Sequence, residues 1–367
     1  MSKISQIDLF RVDIECKTNY KISLMETTWA RNVFIRITAD SGAYGWGEAS
    51  PLWALTGETQ DLNVTGAAEL ARLLLGKDPT DIEGRISEMQ AHLVHNSTLH
   101  SAFDMALYDL LGKIAGQPLY RLFGGGRRSF ETDNTVFMAE PEAMAETAGR
   151  YVQDGFTSVK VKLGSTAEQD VEIIERIRKA VGPDVPLRID ANQAWDYKTA
   201  LVMLKALEPF GIQLCEQPVP HWDHESLKQL RHVTTIPIVA DEALFTPHDA
   251  LRLAAGGCCD YFNIKLSKSG GLYNALRINA VAESAGIACM AGCMSETRLG
   301  LSAAAHLVSA RNNFRFIDLD SCFVLKDDPI TGGIRYQGGT VEVPEHPGHG
   351  ADVKPDFLKN CPCQTIS

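Results

Sequence analysis

The sequence holds no run approaching 18 uninterrupted apolar residues, so no membrane-spanning helix is expected. Its first residues, Met1-Ser2-Lys3-Ile4-Ser5-Gln6-Ile7-Asp8, lack the apolar core of a signal peptide, and the expectation is a cytoplasmic protein. Basic charge is in deficit: 35 Lys and Arg face 46 Asp and Glu, a formal net charge of −11. A nucleic-acid partner read through a basic face is thereby disfavoured. No Cys-x-x-Cys occurs among the nine cysteines, which are Cys16, Cys215, Cys258, Cys259, Cys289, Cys293, Cys322, Cys361 and Cys363. Most lie in apolar runs such as Ile287-Ala288-Cys289-Met290, where a thiol packs as a small hydrophobe. The pairs His221/His224 and His346/His349 stand among Pro, Trp, Asp and Gly and read as loop residues rather than metal ligands.

What is present is globular: 45% hydrophobic and 22% charged residues exclude a disordered or collagen-like chain. A length of 367 residues predicts two to three domains. A barrel of eight βα units takes about 250 residues, which leaves room for one smaller domain. Residues 1–126 read as α+β. Segments 4–14, 32–39 and 43–48 have strand composition, with Asp40-Ser41-Gly42 as a hairpin turn. Helical periodicity follows over 67–75, 82–93 and 99–115, and Gly124-Gly125-Gly126-Arg127-Arg128 marks a boundary. Over 127–325 the rhythm changes to short β-branched segments alternating with helices. The strand-like pieces are 157–163, 186–191, 213–217, 237–240, 261–265, 287–291 and 315–320, with an eighth near 132–137. Helical stretches such as 168–181, 198–207, 225–232 and 271–285 lie between them. That alternation predicts parallel strands with right-handed crossovers, closed as a barrel. Residues 326–367, rich in Gly and Pro, are expected to return to the first domain.

Ionisable residues recur at the C-terminal ends of these strands with the period of one βα unit. From Lys162 the steps to Asp190, Glu216, Asp241 and Lys265 are 28, 26, 25 and 24 residues, and Asp318 lies 53 further on. In a barrel the strand C-termini converge on one rim, so these side chains meet. Asp190, Glu216 and Asp241 come from consecutive units. Each alone could cap a helix, but three carboxylates brought together repel unless a cation sits among them. Hard oxygen ligands with open positions suit Mg²⁺, one per subunit. Lys160 and Lys162 alternate with Val159, Val161 and Leu163 and so share one face of their strand. Two ammoniums side by side are expected to depress each other's pKa and make a neutral base available. Lys265 approaches from the other side of the metal, and Lys268, in the turn that follows, is given no role. A Mg²⁺-bound carboxylate stabilises the enolate formed when an α-proton leaves. A base on each face of that planar species permits removal from one side and return from the other, which is epimerisation.

The motifs Thr157-Ser158-Val159-Lys160-Val161-Lys162, Arg188-Ile189-Asp190-Ala191-Asn192-Gln193, Cys215-Glu216-Gln217-Pro218, Ala240-Asp241-Glu242 and Asn263-Ile264-Lys265-Leu266-Ser267-Lys268-Ser269-Gly270-Gly271 resemble the muconate-lactonizing branch of the enolase superfamily. The resemblance implies an α/β fold, a modified TIM barrel (β/α)₇β under an N-terminal α+β capping domain. Sites of this superfamily use a Lys or His base with Mg²⁺. The mandelate-racemase branch is disfavoured, because 287–297 contains no histidine. Within the branch, Asp318-Leu319-Asp320 resembles the Asp-x-Asp with which dipeptide epimerases bind the α-ammonium of their substrate. The same resemblance makes Lys162 and Lys265 the acid/base pair and Lys160 the holder of the substrate carboxylate, and puts Thr135 and Ser295, with Met294, beside the substrate.

Specificity is expected from loops of the capping domain. Lys21 to Thr28 matches the family's first loop, and Met25 falls where relatives acting on Ala-Glu carry an arginine. That substitution suits a small or apolar second residue, and Glu26 leaves a cationic one open. A second loop over the pocket is read at 51–59, with Trp53. The resulting reading is a Mg²⁺-dependent dipeptide epimerase. The alternatives are an o-succinylbenzoate synthase, N-acylamino-acid racemase or muconate cycloisomerase on the same scaffold, none of which binds a free ammonium, and a non-catalytic barrel, which would need none of the lysines. Family members often form homo-oligomers, and the net charge neither favours nor forbids one here.

Overall fold

The computed structural model describes residues 2–367. Strands β1 (Ile4–Ile22), β2 (Met25–Ala39) and β3 (Tyr44–Ala49) form an antiparallel meander, in which Ile7 faces Ile37 and Ile35 faces Gly47. Helices α1 (Gln60–Leu74), α2 (Ile82–His92) and α3 (Ser97–Ala115) follow. Thr59 caps α1 by accepting from the Leu62 N–H, and Asp81 caps α2 through the Gly84 N–H. The start of α1, seven residues before the expected 67, follows from that cap. Gly45 and Gly47 lie on the face of β3 that meets α3. A Cβ at either would strike the backbone of Ala102 or Ala106, so the close crossing of helix on strand requires glycine at both.

Two expectations for this region are corrected. β1 runs on to Ile22 rather than ending near 14, with a register shift between Glu15 and Tyr20 that hides the strand behind the polar run Lys17-Thr18-Asn19. The segment 21–28 is therefore not a long loop but the tip of a hairpin, where Ile22 pairs with Met25.

Eight parallel strands then curl round: β4 (Asn134–Val136), β5 (Val159–Lys162), β6 (Leu187–Asp190), β7 (Ile212–Glu216), β8 (Ile238–Ala240), β9 (Tyr261–Ile264), β10 (Ala288–Ala291) and β11 (Phe314–Ile317). The Asp133 N–H donates to Ile317 O at 3.1 Å, joining the two ends of the sheet. Seven strands are each followed by a helix: α4 (Pro141–Gln153), α5 (Ala167–Val181), α6 (Tyr197–Leu207), α7 (His224–Val233), α8 (Pro247–Gly256), α9 (Leu272–Ala285) and α10 (Arg298–Ala310). The eighth is followed only by a 3₁₀ turn at Ser321–Val324, which makes the architecture (β/α)₇β. Both faces of β5 are covered, so Val159 and Val161 join the apolar shell while Lys160 and Lys162 point inward. The last strand, β12 (Cys363–Ile366), adds antiparallel to β1, with Ile366 opposite Ile7.

Two buried carboxylates of the N-terminal layer seat it on the barrel. Glu48 accepts from the N–H groups of Thr297 and Gly300 at the start of α10, and Asp104 accepts from Leu272 and Tyr273 at the start of α9. Both exploit the unsatisfied donors and positive end of a helix N-terminus. No helix among the described residues is long and apolar enough to cross a membrane.

Candidate active site

Parallel register puts Lys162, Asp190 and Glu216 at one height, because Lys162 pairs with Asp190 and Asp190 with Glu216 along β5–β7. Asp241 follows β8 directly. The carboxylates of Asp190, Glu216 and Asp241 are fully buried and offer oxygens within 4.8 Å of one another. Glu216 Oε2 receives no directed hydrogen bond and has only an ammonium contact. Three hard, inward-facing oxygen donors with spare lone pairs fit a Mg²⁺ ion.

Each carboxylate is oriented by a neighbour. Asp190 Oδ1 accepts from the Asn192 N–H at 2.9 Å, and Asn263 donates to Glu216 Oε1 at 2.8 Å. The lysines come from two sides: Lys162 Nζ lies 2.6 Å from Asp190 Oδ2, and Lys265 Nζ lies 2.7 Å from Asp241 Oδ2. Between them Lys160 Nζ reaches Asp318 Oδ2 at 2.7 Å, Glu216 Oε2 at 2.8 Å and Asp190 Oδ2 at 3.2 Å.

Burial pushes the Glu216 carboxyl up to about 8, with Asp190 adding to it. Asp190 is equally buried, but Lys162 and Lys160 hold it below the usual range. The expectation that neighbouring ammoniums make a neutral lysine is corrected for Lys160. Burial pulls its pKa down, yet Asp318, Glu216 and Asp190 outweigh that and hold it well above the ordinary value. Lys265 follows the same pattern through Asp241 and Glu216.

Asp318 and Asp320 stand just past β11 rather than within the expected strand 315–320. Asp318 Oδ2 is taken by Lys160, while its Oδ1 is buried without a partner. Asp320 Oδ2 accepts from the Thr135 N–H at 2.7 Å. Burial, reinforced by Asp318, pushes the Asp320 carboxyl up to about 7. A cationic group entering here would meet one free oxygen and a carboxyl crowded by its neighbour, which is favourable for an ammonium.

The cavity over these groups is lined by Thr135, Lys160, Lys162, Lys265, Asp318 and Asp320 on its polar side. Tyr20, Ile22, Leu55, Phe137 and Met294 form the apolar side, with the rings of Tyr20 and Phe137 4.4 Å apart.

Two expected contacts fall outside it. Met25, the register partner of Ile22, packs in the same apolar cluster as Ile22 but is not among the residues lining the cavity. Ser295 turns its backbone to the N-terminal layer, where its N–H donates to Ser50 and its carbonyl accepts from Asn32. Glu26 accepts from Asn19 on the surface and does not reach the cavity, so it offers nothing to a cationic substrate. Trp53 is 56% exposed; from the same short helix it is Leu55 that faces inward. His221 Nδ1 lies 3.0 Å from Gln193 Oε1, and His349 Nε2 lies 2.9 Å from Trp46 O.

Several site residues escaped the sequence reading. Tyr20 lies one residue before the stretch 21–28, and Phe137 closes the strand-like piece 132–137, where it reads as strand and not as a wall of the site. Cys293 lines the cavity with Sγ 3.5 Å from Asp320, although cysteines read as filler. Lys268 is buried against Asp241, and its i, i+3 spacing from Lys265 on one helical turn was a usable signal.

Residues 6–124 match the family model of the mandelate racemase / muconate lactonizing enzyme N-terminal domain, and residues 143–357 match that described as enolase C-terminal domain-like. The chain is 42% identical to the D-Ala-D/L-Ala epimerase of Cytophaga hutchinsonii over 97% of both chains. It is 41% identical to the L-Ala-D/L-Glu epimerase of Bacillus subtilis over 95% of this chain and 96% of that one. Its fold superposes on the crystal structure of the dipeptide epimerase from Cytophaga hutchinsonii complexed with Mg and the dipeptide D-Ala-L-Val. There the TM-score is 0.98 at 41% identity, covering 100% of both chains.

Proposed function

Because the chain belongs to the mandelate racemase / muconate lactonizing enzyme family of the enolase superfamily, we propose that it is a magnesium-dependent dipeptide epimerase inverting the α-carbon of a dipeptide's C-terminal residue. The observation that carries this reading is the placement of Lys162 and Lys265, which approach the carboxylate trio through different members, Asp190 and Asp241. A substrate carboxylate drawn to that trio has one lysine on each side of its α-carbon. When bound by Asp190, Glu216 and Asp241, magnesium supplies positive charge beside the substrate carboxylate and favours loss of the α-proton.

The remaining work falls to the chain. The lysine that stands as a neutral amine takes the α-proton, the other donates a proton from its ammonium to the opposite face, and the direction of turnover decides which of the two starts neutral. Lys160 pairs with the substrate carboxylate. Asp318 and Asp320 hold the α-ammonium, which fixes the dipeptide end to end and excludes substrates without an amine.

The apolar wall of Tyr20, Ile22, Leu55, Phe137 and Met294 suits a small or apolar side chain. Among the described lining residues there is no arginine to meet a glutamate. Chiral chromatography of Ala-Ala, Ala-Val, Ala-Glu and Ala-Lys after incubation with enzyme and Mg²⁺ tests both levels. Ala-Ala and Ala-Val are expected to epimerise with kcat/KM at least ~10-fold above Ala-Glu, the scale on which a mismatched side chain discriminates. A preference for Ala-Glu would overturn the specificity. No epimerisation of any dipeptide would overturn the function.

A further inference from the structure

A fourth lysine sits in the site without a part in the scheme above. Lys268 is 1% exposed and lies on the one-turn helix Leu266–Ser269 directly after β9. Its Nζ donates to Leu244 O at 3.1 Å and Asn263 O at 3.2 Å, and also to Asp241 O. It pairs in addition with Asp241 Oδ1, and the ring of Phe245 closes over it with its centroid 5.7 Å from Nζ. An ammonium has three protons to donate. Three carbonyls and a carboxylate oxygen use all of them, and Lys268 does not line the substrate cavity. Every one of its polar partners lies at or just past the C-terminal ends of two neighbouring strands, β8 and β9.

We propose that Lys268 is a positioning residue for the metal centre, pinning Asp241 through one carboxylate oxygen and the backbone carbonyl so that the other oxygen is presented toward Asp190 and Glu216. This rests on the reading of Asp190, Glu216 and Asp241 as magnesium ligands. Asp241 has no other such anchor. Asp190 is held by a backbone N–H and Glu216 by Asn263, whereas the carboxylate of Asp241 meets two lysines, of which Lys265 is committed to the proton. Charge and positioning make opposite forecasts for this lysine. A cation beside a metal site opposes the incoming Mg²⁺, so removing it for charge alone tightens binding. Removing an orienting partner loosens it, typically 10–100-fold.

The test is calorimetric titration of Mg²⁺ into the metal-stripped wild-type chain and K268M. The expected result is a Kd raised ~10–100-fold in K268M, with dipeptide turnover rising toward the wild-type value as Mg²⁺ is raised to saturation. Mg²⁺ affinity that is unchanged or tighter in folded K268M overturns the proposal, since a merely structural lysine would lower the melting temperature and leave metal affinity alone. Should K268M fail to fold, the Mg²⁺-loaded crystal structure of the wild type decides. Lys268 Nζ is expected to stay within hydrogen-bond reach of the Asp241 carboxylate, ~3.2 Å or less; an ammonium released from Asp241 in that structure overturns the proposal. A wild type that binds no Mg²⁺ would remove the metal-ligand reading itself, whereas equal binding by wild type and K268M would remove only the role of Lys268.

Discussion

On the proposed function, Asp318 and Asp320 would separate the epimerase from the lyases and cycloisomerases on its scaffold, because only an aminated substrate needs them. Asp320 keeps one oxygen on the Thr135 N–H, so asparagine can retain that hydrogen bond while losing the charge. The variant D320N is expected to stay folded and to lose ~10–100-fold in kcat/KM for dipeptides, chiefly through KM, which is the worth of one charge-assisted contact. Steady-state kinetics check this; an unaffected KM would mean that the ammonium does not sit there. The acids and three of the lysines were legible because one βα period separates them, and periodicity survives without knowledge of the pocket. Tyr20, Phe137 and Cys293 were not, because an apolar wall is written in residue types that fill any core. Gly292 belongs with them: a Cβ there would lie 2.7 Å from Asn263 Oδ1 and 2.9 Å from Lys265 Cε, so the packing of these two side chains favours a glycine.

At the scale of elements, strand and helix order in the barrel follows the alternation read from the sequence, with ends shifted by a few residues. The misread element was the N-terminal hairpin. A polar run and a register shift interrupt the period-two pattern of β1, and strand pairing with β2 overrides the local signal. The consequence is functional, since the extra length of β1 carries Tyr20 and Ile22 over the barrel mouth. The joint between the two layers is made by carboxylates on helix N-termini rather than by sequence motifs. Asp104 holds the start of α9, six residues beyond the Lys265–Leu266 step. Removing it in D104A strands two buried N–H groups and should lower stability by ~2 kcal/mol, read as a fall of the melting temperature by ~4 °C. Activity at a temperature well below that transition should fall less than in any lysine variant.

For the whole molecule, buried histidines are expected to contribute to the loss of stability in acid. Burial pushes His100 down to about 4 and His306 down to about 3, and the Nε2 of each lacks a hydrogen-bond partner. Their pKa values are lower folded than unfolded, so between about 6.5 and these values the unfolded chain binds the extra protons. Their contribution is intact above pH ~6.5 and is lost as pH falls through 4 toward 3, on the order of 3 kcal/mol for each residue. Urea melts at pH 7, 5 and 4 should show falling stability, and H306Q should flatten the slope; a slope unchanged in H306Q would assign the acid sensitivity elsewhere.

On the proposed function, two lysines move a proton between the two faces of one carbon. This is tested most directly by ¹H NMR in D₂O with Mg²⁺, following the α-proton of the C-terminal residue of L-Ala-L-Val and L-Ala-D-Val with wild type, K162A and K265A. The wild type is expected to exchange and epimerise both diastereomers. Each single variant should fail to epimerise, by a factor of ~10² or more, while still exchanging the α-proton of one diastereomer with retention, a different diastereomer for each variant. Exchange lost from both diastereomers in one variant and kept for both in the other would show a single base, and would contradict the account.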